Sequence, residues 1–332
     1  MKKILILGSG SFAGSSLVSY LLDKKYFVFG TTRSSKKNNY FLPYKKNVNS
    51  KNFKNIVCEI NKQTDQDKIL KIIKKHRIMI IVDFLGQGMV SQSWDAPQDW
   101  LKTNFMSKSN FIDKLIKNKI TIKKYIRIST PEVYGHKDSK IIENNEYNPS
   151  TPYAISHAAI DMLLKTYYQK YKFPYIIGRF SNFYGDHQQL YRVIPSVIIA
   201  ILKKNKFYLE GKGNSKRNFI YKDDFCNAIN LLIGKGKVNN IYHFSGKNLI
   251  SIKELVSKIC KILKYDKKKL IQFKKERSSL DRIYKMDSKK SNLYLKWKEN
   301  VSLDKGIVNT YQYIKENFNM IKNSKNFYKK RK

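Results

Sequence analysis

The opening segment KKILILGSGSFAGSSLVSYLLDKK constrains this chain more than any other stretch. An apolar run over residues 2–8 stops at glycine, and Phe12, Leu17, Tyr20 and Leu21 then recur at helical spacing. That pattern reads as strand, tight turn, helix. Within GSGSFAG, Gly8, Gly10 and Gly14, with Ser11 and Phe12 between them, let backbone amides and the helix N-terminus approach a pyrophosphate. Because the loop directly follows a strand and opens a helix, it predicts a dinucleotide site. The next candidate strand ends in GTTRSSKK, without the carboxylate that usually takes a ribose 2′-hydroxyl. Arg33, Ser34 and Ser35 offer a cradle for a 2′-phosphate instead, which favours NADP over NAD.

Further apolar runs, YFVFGTT (26–32), NIVCEI (55–60), IMIIVDFL (78–85) and YIRIST (125–130), suit strands of a sheet covered on both faces. Helical stretches separate them at residues 65–76, 96–118 and in the segment that begins near Tyr153. The alternation predicts an α/β fold, a doubly wound parallel sheet of the Rossmann kind with a smaller interleaved C-terminal substrate domain. We place the dinucleotide-binding domain at residues 1–178, with 223–245 returning to it. The substrate domain takes 179–222 and 246–320, and a basic tail takes 321–332.

Composition excludes more than it assigns. The net charge of +41 would attract a polyanion, yet the lysines are spread through nearly every segment beside many Asn and Ile, as drift toward A/T-rich codons produces. A solvated lysine surface is therefore expected rather than a nucleic-acid site. The apolar runs at 78–86 and 193–202 are far shorter than the roughly 20 residues of a membrane span. The N-terminal apolar run leads straight into a glycine turn, unlike a signal peptide, so a cytoplasmic location is expected. Cys58, Cys226 and Cys260 are odd in number and lack metal-ligand spacing, so neither a disulfide framework nor a metal site is expected.

The segment STPYAISHAAIDML places Tyr153 and His157 on one helix face, four residues apart. A phenol beside an imidazole is a plausible proton-transfer unit. Together with GSGSFAG and IRISTPEVYG, this segment resembles the extended short-chain dehydrogenase/reductases, specifically the sugar-nucleotide 4,6-dehydratases of the dTDP-glucose and GDP-mannose kinds. LGQGMVSQSW, TNF, GRFSNFYG, RNFIYKDDF, ERSSLDRIYKMDSKK and LKWKENVSLDKGI continue the resemblance in the family's order over nearly the whole chain.

The resemblance implies an intramolecular redox cycle on a nucleotide-diphosphate sugar. Tyr153, aided by Thr130, removes the 4-hydroxyl proton as C4 gives hydride to the cofactor; Glu132 takes the C5 proton while water leaves from C6, and hydride returns to C6. It implies cofactor contacts from Glu59, Ile60, Leu85, Gln87, Asn104, Tyr153 and His157, substrate contacts from Asn182, Arg217 and Arg282, and a homodimer or homotetramer. An epimerase or 4-dehydrogenase on the same scaffold is the nearest alternative, and a cofactor-bound binding protein without turnover is the next.

Three departures from the family pattern bear on this. Ser11 stands at the glycine loop's usual middle glycine, Pro131 stands where the dTDP-glucose enzymes carry an aspartate, and His157 stands for the lysine of Tyr-x-x-x-Lys. A unit charge about 6 Å from a phenol, at an effective dielectric near 20, is worth roughly 3 kcal/mol or about two pKa units. A neutral His157 would bond the ribose without that effect, and a lysine introduced there is expected to move an alkaline rate rise toward neutral pH.

Overall fold

The N-terminal run forms β1 (Lys3–Leu7), whose residues Ile4, Leu5, Ile6 and Leu7 are fully buried. Alternate side chains leave opposite faces of a strand. Ile4 and Ile6 join α1 (Phe12–Asp23) through Leu17, Val18, Leu21 and Leu22, while Leu5 and Leu7 join α2 (Gln63–His76) through Ile69, Leu70 and Ile73. The computed structural model describes residues 1–34, 38–137, 139–144, 146–274 and 283–323.

Six more strands pair with β1 in one sheet: β2 (Phe27–Thr32), β3 (Phe53–Val57), β4 (Ile80–Asp83), β5 (Lys124–Ser129), β6 (Tyr175–Phe180) and β10 (Asn240–Phe244). Their order is β10-β6-β5-β4-β1-β2-β3, with every pairing parallel. The order reverses at β1, so a crevice opens beyond the carboxyl ends of β1 and β4, where ligands bind in such sheets. The third strand begins and ends earlier than the 55–60 run suggested. Past β3 the amide of Glu59 donates to the Asp65 carboxylate at 2.7 Å, which turns the chain toward α2.

The helical stretch expected at 96–118 is continuous but not uniform. It comprises α3 (Pro97–Leu101), a π-helical turn at Lys102–Met106 and α4 (Ser107–Lys117). α5 (Pro152–Tyr171) starts where a Ser/Thr-Pro pair predicts a helix start: Thr151 caps it by accepting from the Ala154 amide at 3.1 Å, and Pro152 occupies the first turn.

The remaining strands and α-helices among the described residues are β7 (Asn182–Tyr184), α6 (Val193–Leu202), β8 (Phe207–Glu210), β9 (Lys216–Tyr221), α7 (Lys222–Lys235), β11 (Leu249–Ser251), α8 (Ile252–Ile262), α9 (Lys267–Leu270), β12 (Ile271–Lys274), α10 (Leu303–Glu316) and α11 (Phe318–Ile321). They make a three-stranded sheet β11-β9-β7 and a two-stranded sheet β12-β8. A separate core joins α6, α8 and α10 through Val197, Ile198, Leu255, Ile259 and Ile307. Among the described residues no helix is long and apolar enough to cross a membrane, and no group of side chains could hold a metal ion. The three cysteines are buried free thiols.

Candidate active site

The glycine loop lies at the carboxyl end of β1, at the sheet's reversal point. Gly8 has φ +85°, and a Cβ there would meet the Phe84 backbone at 3.3 Å, so only glycine fits without strain. Its amide donates to Thr31 Oγ1 at 3.0 Å, and Ser9 Oγ donates to the Thr31 carbonyl at 3.0 Å, which fastens the loop to β2. A Cβ on Gly14 would sit 2.3 Å from the Gly8 carbonyl oxygen, so the turn and the first helical residues close on each other through glycine.

Ser11 takes φ −78° and ψ 166°, an extended conformation open to any residue, and works as the α1 N-cap. Its hydroxyl accepts from the Gly14 amide at 3.0 Å and donates to the Gly8 carbonyl at 2.8 Å. The serine therefore stabilises the turn rather than distorting it. Close backbone approach and the N-terminus of α1 fit a pyrophosphate-bearing dinucleotide.

A second backbone surface follows β4. The Leu85 amide donates to Asp83 Oδ1 at 2.8 Å. Asn104, fully buried in the π-helical turn, accepts from the Gln87 amide at 2.6 Å and donates to the Gln87 carbonyl at 3.2 Å. The same amide donates to Ser156 Oγ at 3.0 Å, and Ser156 donates to the Tyr153 carbonyl at 2.7 Å. Asn104 thus ties the loop after β4 to the first turn of α5. A Cβ on Gly86 between them would lie 3.2 Å from Asn104 Oδ1 and 3.9 Å from His157 Nε2, so this stretch is a cradle that a side chain would fill.

Thr130 follows β5 and caps the short 3-10 turn Pro131–Tyr134, its hydroxyl accepting from the Glu132 amide at 3.3 Å. Pro131 occupies the first position of that turn, where a fixed φ is favourable and no amide is needed. The proline therefore shapes the turn that presents Glu132. The Tyr153 and His157 rings stand 4.5 Å apart, centroid to centroid. Burial first, then the charge of Glu132, pushes the Tyr153 phenol up to about 12; a hydrogen bond with Thr130 and the charges of Arg127 and Arg192 pull it down.

His157 Nδ1 lies 2.8 Å from Arg127 Nη2. A guanidinium only donates, so Nδ1 accepts and the imidazole is the neutral tautomer with its proton on Nε2. Burial, followed by the charges of Arg127, Lys108 and Arg179, holds His157 well below the usual histidine range.

The other expected site residues are more dispersed. Arg33 is exposed and Ser34 half-buried just beyond β2, while Ser35 lies outside the described residues. Glu59 is half-buried beyond β3, and the Ile60 side chain belongs to the core beneath the sheet, so only its backbone faces outward chemistry. Asn182 is exposed at the start of β7. Arg217 on β9 stacks over the Tyr284 ring at 4.9 Å and donates to the Lys216 carbonyl at 2.8 Å. Arg282 lies outside the described residues.

Sequence reasoning missed the charged layer beneath the site: Asp83, Lys108, Arg127, Asp161 and Arg179, each at most 1% exposed. A signal existed, since Asp83, Arg127 and Arg179 interrupt otherwise apolar central strands, where an ionised side chain needs a partner.

Fold and site together define a dinucleotide-dependent enzyme class built on a Rossmann sheet with its glycine loop after β1. The family model described as GDP-mannose 4,6 dehydratase matches residues 5–310. The chain belongs to that family, the extended short-chain dehydrogenase/reductases of the sugar-nucleotide 4,6-dehydratase type. A dTDP-D-glucose 4,6-dehydratase of Dictyostelium discoideum is 29% identical over 262 residues, covering 73% of this chain and 58% of that protein, so the match spans under two thirds of the relative. The structure of dTDP-glucose 4,6-dehydratase from Bacillus anthracis in complex with NAD superposes with a TM-score of 0.84 at 26% identity, over 97% of this chain and 99% of that one. UDP-glucose 4-epimerase from Thermotoga maritima, solved with UDP-glucose, also reaches a TM-score of 0.84 at 26% identity, over 95% of this chain and 99% of that one.

Proposed function

We propose that the chain is a nucleotide-sugar 4,6-dehydratase, acting on a hexose linked to a nucleoside diphosphate. The observation that carries the reading is the convergence of Thr130, Tyr153 and His157 beside a turn that presents Glu132. Bound NAD or NADP supplies the hydride acceptor and, later in the cycle, the hydride donor. Tyr153 takes the proton of the sugar 4-hydroxyl, with Thr130 bonded to the phenol. His157, with Nε2 beside the Gly86 cradle, would hold the cofactor ribose through its Nε2–H. Once C4 is a ketone the C5 proton is acidic, and Glu132 takes it. With Pro131 beside it, Glu132 is also the carboxyl of this turn that returns a proton to the departing C6 hydroxyl.

Arg33 beyond β2, with no carboxylate among Thr31, Thr32 and Ser34, supports a preference for NADP. Asn182, Arg217 and Arg282 are assigned to the nucleotide diphosphate, arginine suiting phosphate by its forked donors. Residues 1–178 and 223–245 hold the cofactor in this reading, and 179–222 and 246–320 hold the sugar nucleotide. Exposed Met106, Ile155 and Met162 on the π-helical turn and α5 support a homo-oligomer, and the cytoplasm is the proposed location.

The similarity to a 4-epimerase keeps epimerisation as the second reading. Incubation with a panel of nucleotide-diphosphate sugars separates the two. A dehydratase yields a product lighter by one water with no net cofactor consumption, and an epimerase yields an isomer of unchanged mass.

A further inference from the structure

Arg127 lies at the centre of the main sheet, fully buried, opposite Asp83 in the β4–β5 register and one strand from Arg179. Its guanidinium has three sides. Nη1 lies 3.7 Å from Asp83 Oδ2 and donates to the Ile128 carbonyl at 2.6 Å. Nε lies 3.8 Å from Asp161 Oδ1. Nη2 reaches His157 Nδ1 at 2.8 Å, the closest of its side-chain contacts.

Each neighbouring carboxylate already has a closer cation. Asp83 has Lys108 at 3.0 Å and also accepts from the Tyr125 hydroxyl at 3.0 Å. Asp161 has Arg179 at 2.9 Å and accepts from Ser129 at 2.6 Å. Burial, then the Arg127 charge, pushes the Lys108 ammonium down to about 7; of the two guanidiniums beside these carboxylates, the one that stands farther from them, at 3.7 and 3.8 Å, is the one that touches His157. On α5, Tyr153, His157 and Asp161 follow at four-residue spacing on one face, so the helix lays the phenol, the imidazole and the carboxylate in a row above this guanidinium.

We propose that Arg127 is a positioning residue for the reaction: it locks His157 in the tautomer that turns Nε2–H toward the cleft, and it supplies the positive field on Tyr153 that a neutral imidazole cannot. The proposal rests on the assignment of Tyr153 and His157 to the active site. A purely structural arginine that neutralises Asp83 and Asp161 would need no bond to a ring nitrogen on the helix above.

The groups that bear on the Tyr153–His157 pair come from each packed element. They are Arg127 from β5, Thr130 and Glu132 from the following turn, Asp83 from β4, Lys108 from α4, Arg179 from β6, Asp161 from α5 itself and Arg192 ahead of α6. Of the cations, Arg127 acts on both Tyr153 and His157, and among the charges around His157 it has the largest effect.

The test compares the full chain, Arg127→Gln, and the swap Arg127→Gln with His157→Lys. The first readout is the imidazole 15N spectrum of His157 near neutral pH, assigned by its loss in His157→Asn. The expected spectrum shows an unprotonated Nδ1 and a protonated Nε2, with a mixture of tautomers or an imidazolium in Arg127→Gln. A protonated Nδ1 in the full chain overturns the proposal.

The second readout is the pH–rate profile on an accepted nucleotide sugar. Arg127→Gln should move the alkaline rise to higher pH, because Arg127 is one of the charges that pull the Tyr153 phenol down, and the swap should bring it back to or below its original position. Should Arg127→Gln fail to fold, the swap and Arg127→Lys carry the test: the rise stays near or below its original position in the swap, and Arg127→Lys, whose ammonium also only donates, keeps both the rise and the protonated Nε2. An unchanged profile in a folded Arg127→Gln, or a swap whose rise stays displaced, overturns the proposal. If the full chain turns over no nucleotide sugar, the proposed function fails by itself, and the 15N spectra still decide whether Arg127 sets the tautomer.

Discussion

Replacing His157 by lysine puts an ammonium where Nδ1 now accepts from Arg127 at 2.8 Å. Two unit charges about 5 Å apart at an effective dielectric near 20 repel by roughly 3 kcal/mol, or about two pKa units. Lys108 and Arg179 act in the same direction, and burial adds to them. The introduced ammonium therefore titrates near pH 8 in the folded protein, about two units below its unfolded value near 10.4.

Because the folded pKa is the lower one, the full destabilisation of about 3 kcal/mol is present below about pH 8 and is relieved as pH rises toward 10. In thermal unfolding monitored by circular dichroism, His157→Lys should melt about 5 °C below the unmodified protein near pH 7. The gap should close with rising pH. A variant that melts with the parent near pH 7, or a gap that stays constant to about pH 10, would refute the picture of a cationic Arg127 in contact with this position.

Other substitutions test separate parts of the site. Arg33→Ala should erase a preference for NADP over NAD in equilibrium binding, and equal affinities in the unmodified protein would sink that preference. Gly14→Ala, whose Cβ would lie 2.3 Å from the Gly8 carbonyl, should lower dinucleotide affinity at least tenfold in titration calorimetry, since backbone must move to admit it. Tyr153→Phe should abolish cofactor reduction by substrate. The unmodified enzyme should gain rate through the alkaline range as a phenol with a pKa of about 12 begins to ionise, and a flat alkaline profile would exclude Tyr153 as the base.

The sheet was legible because each strand is a near-continuous apolar run between helical stretches, the pattern that burial on both faces imposes. The glycine loop was legible because Gly8 needs a positive φ and Gly14 a missing Cβ, both of which only glycine supplies. Ser11 and Pro131 stand out in the sequence as departures from the family pattern. In three dimensions one is a helix cap and the other opens the turn that carries Glu132, roles set by local backbone geometry that spacing alone does not reveal.

The π-helical turn that buries Asn104 was hidden inside a helical pattern, because one extra residue per turn changes the direction of a side chain and not the apolar period. Arg127 was hidden for a related reason. Its partners come from β4, α5 and, through His157, a helix turn 30 residues away, so the pairing exists only once the sheet has assembled. The expectation that a lysine at position 157 would move the alkaline rise toward neutral pH depended on that position having no cation beneath it. The Arg127 contact adds a stability cost to that substitution, so the pH–rate profile of His157→Lys is read together with its melting temperature.

The central claim, that this chain eliminates water across C5 and C6 with Glu132 as the base, is tested most directly by running the reaction in deuterium oxide on an accepted nucleotide sugar. Mass spectrometry and proton NMR of the product then report loss of water and deuterium at C5. The account predicts that the unmodified enzyme gives a dehydrated product carrying solvent deuterium at C5, and that Glu132→Gln oxidises C4 yet neither exchanges the C5 hydrogen nor loses water. A Glu132→Gln enzyme that exchanges and dehydrates at the normal rate, or an unmodified enzyme whose product keeps the mass of its substrate, would contradict it.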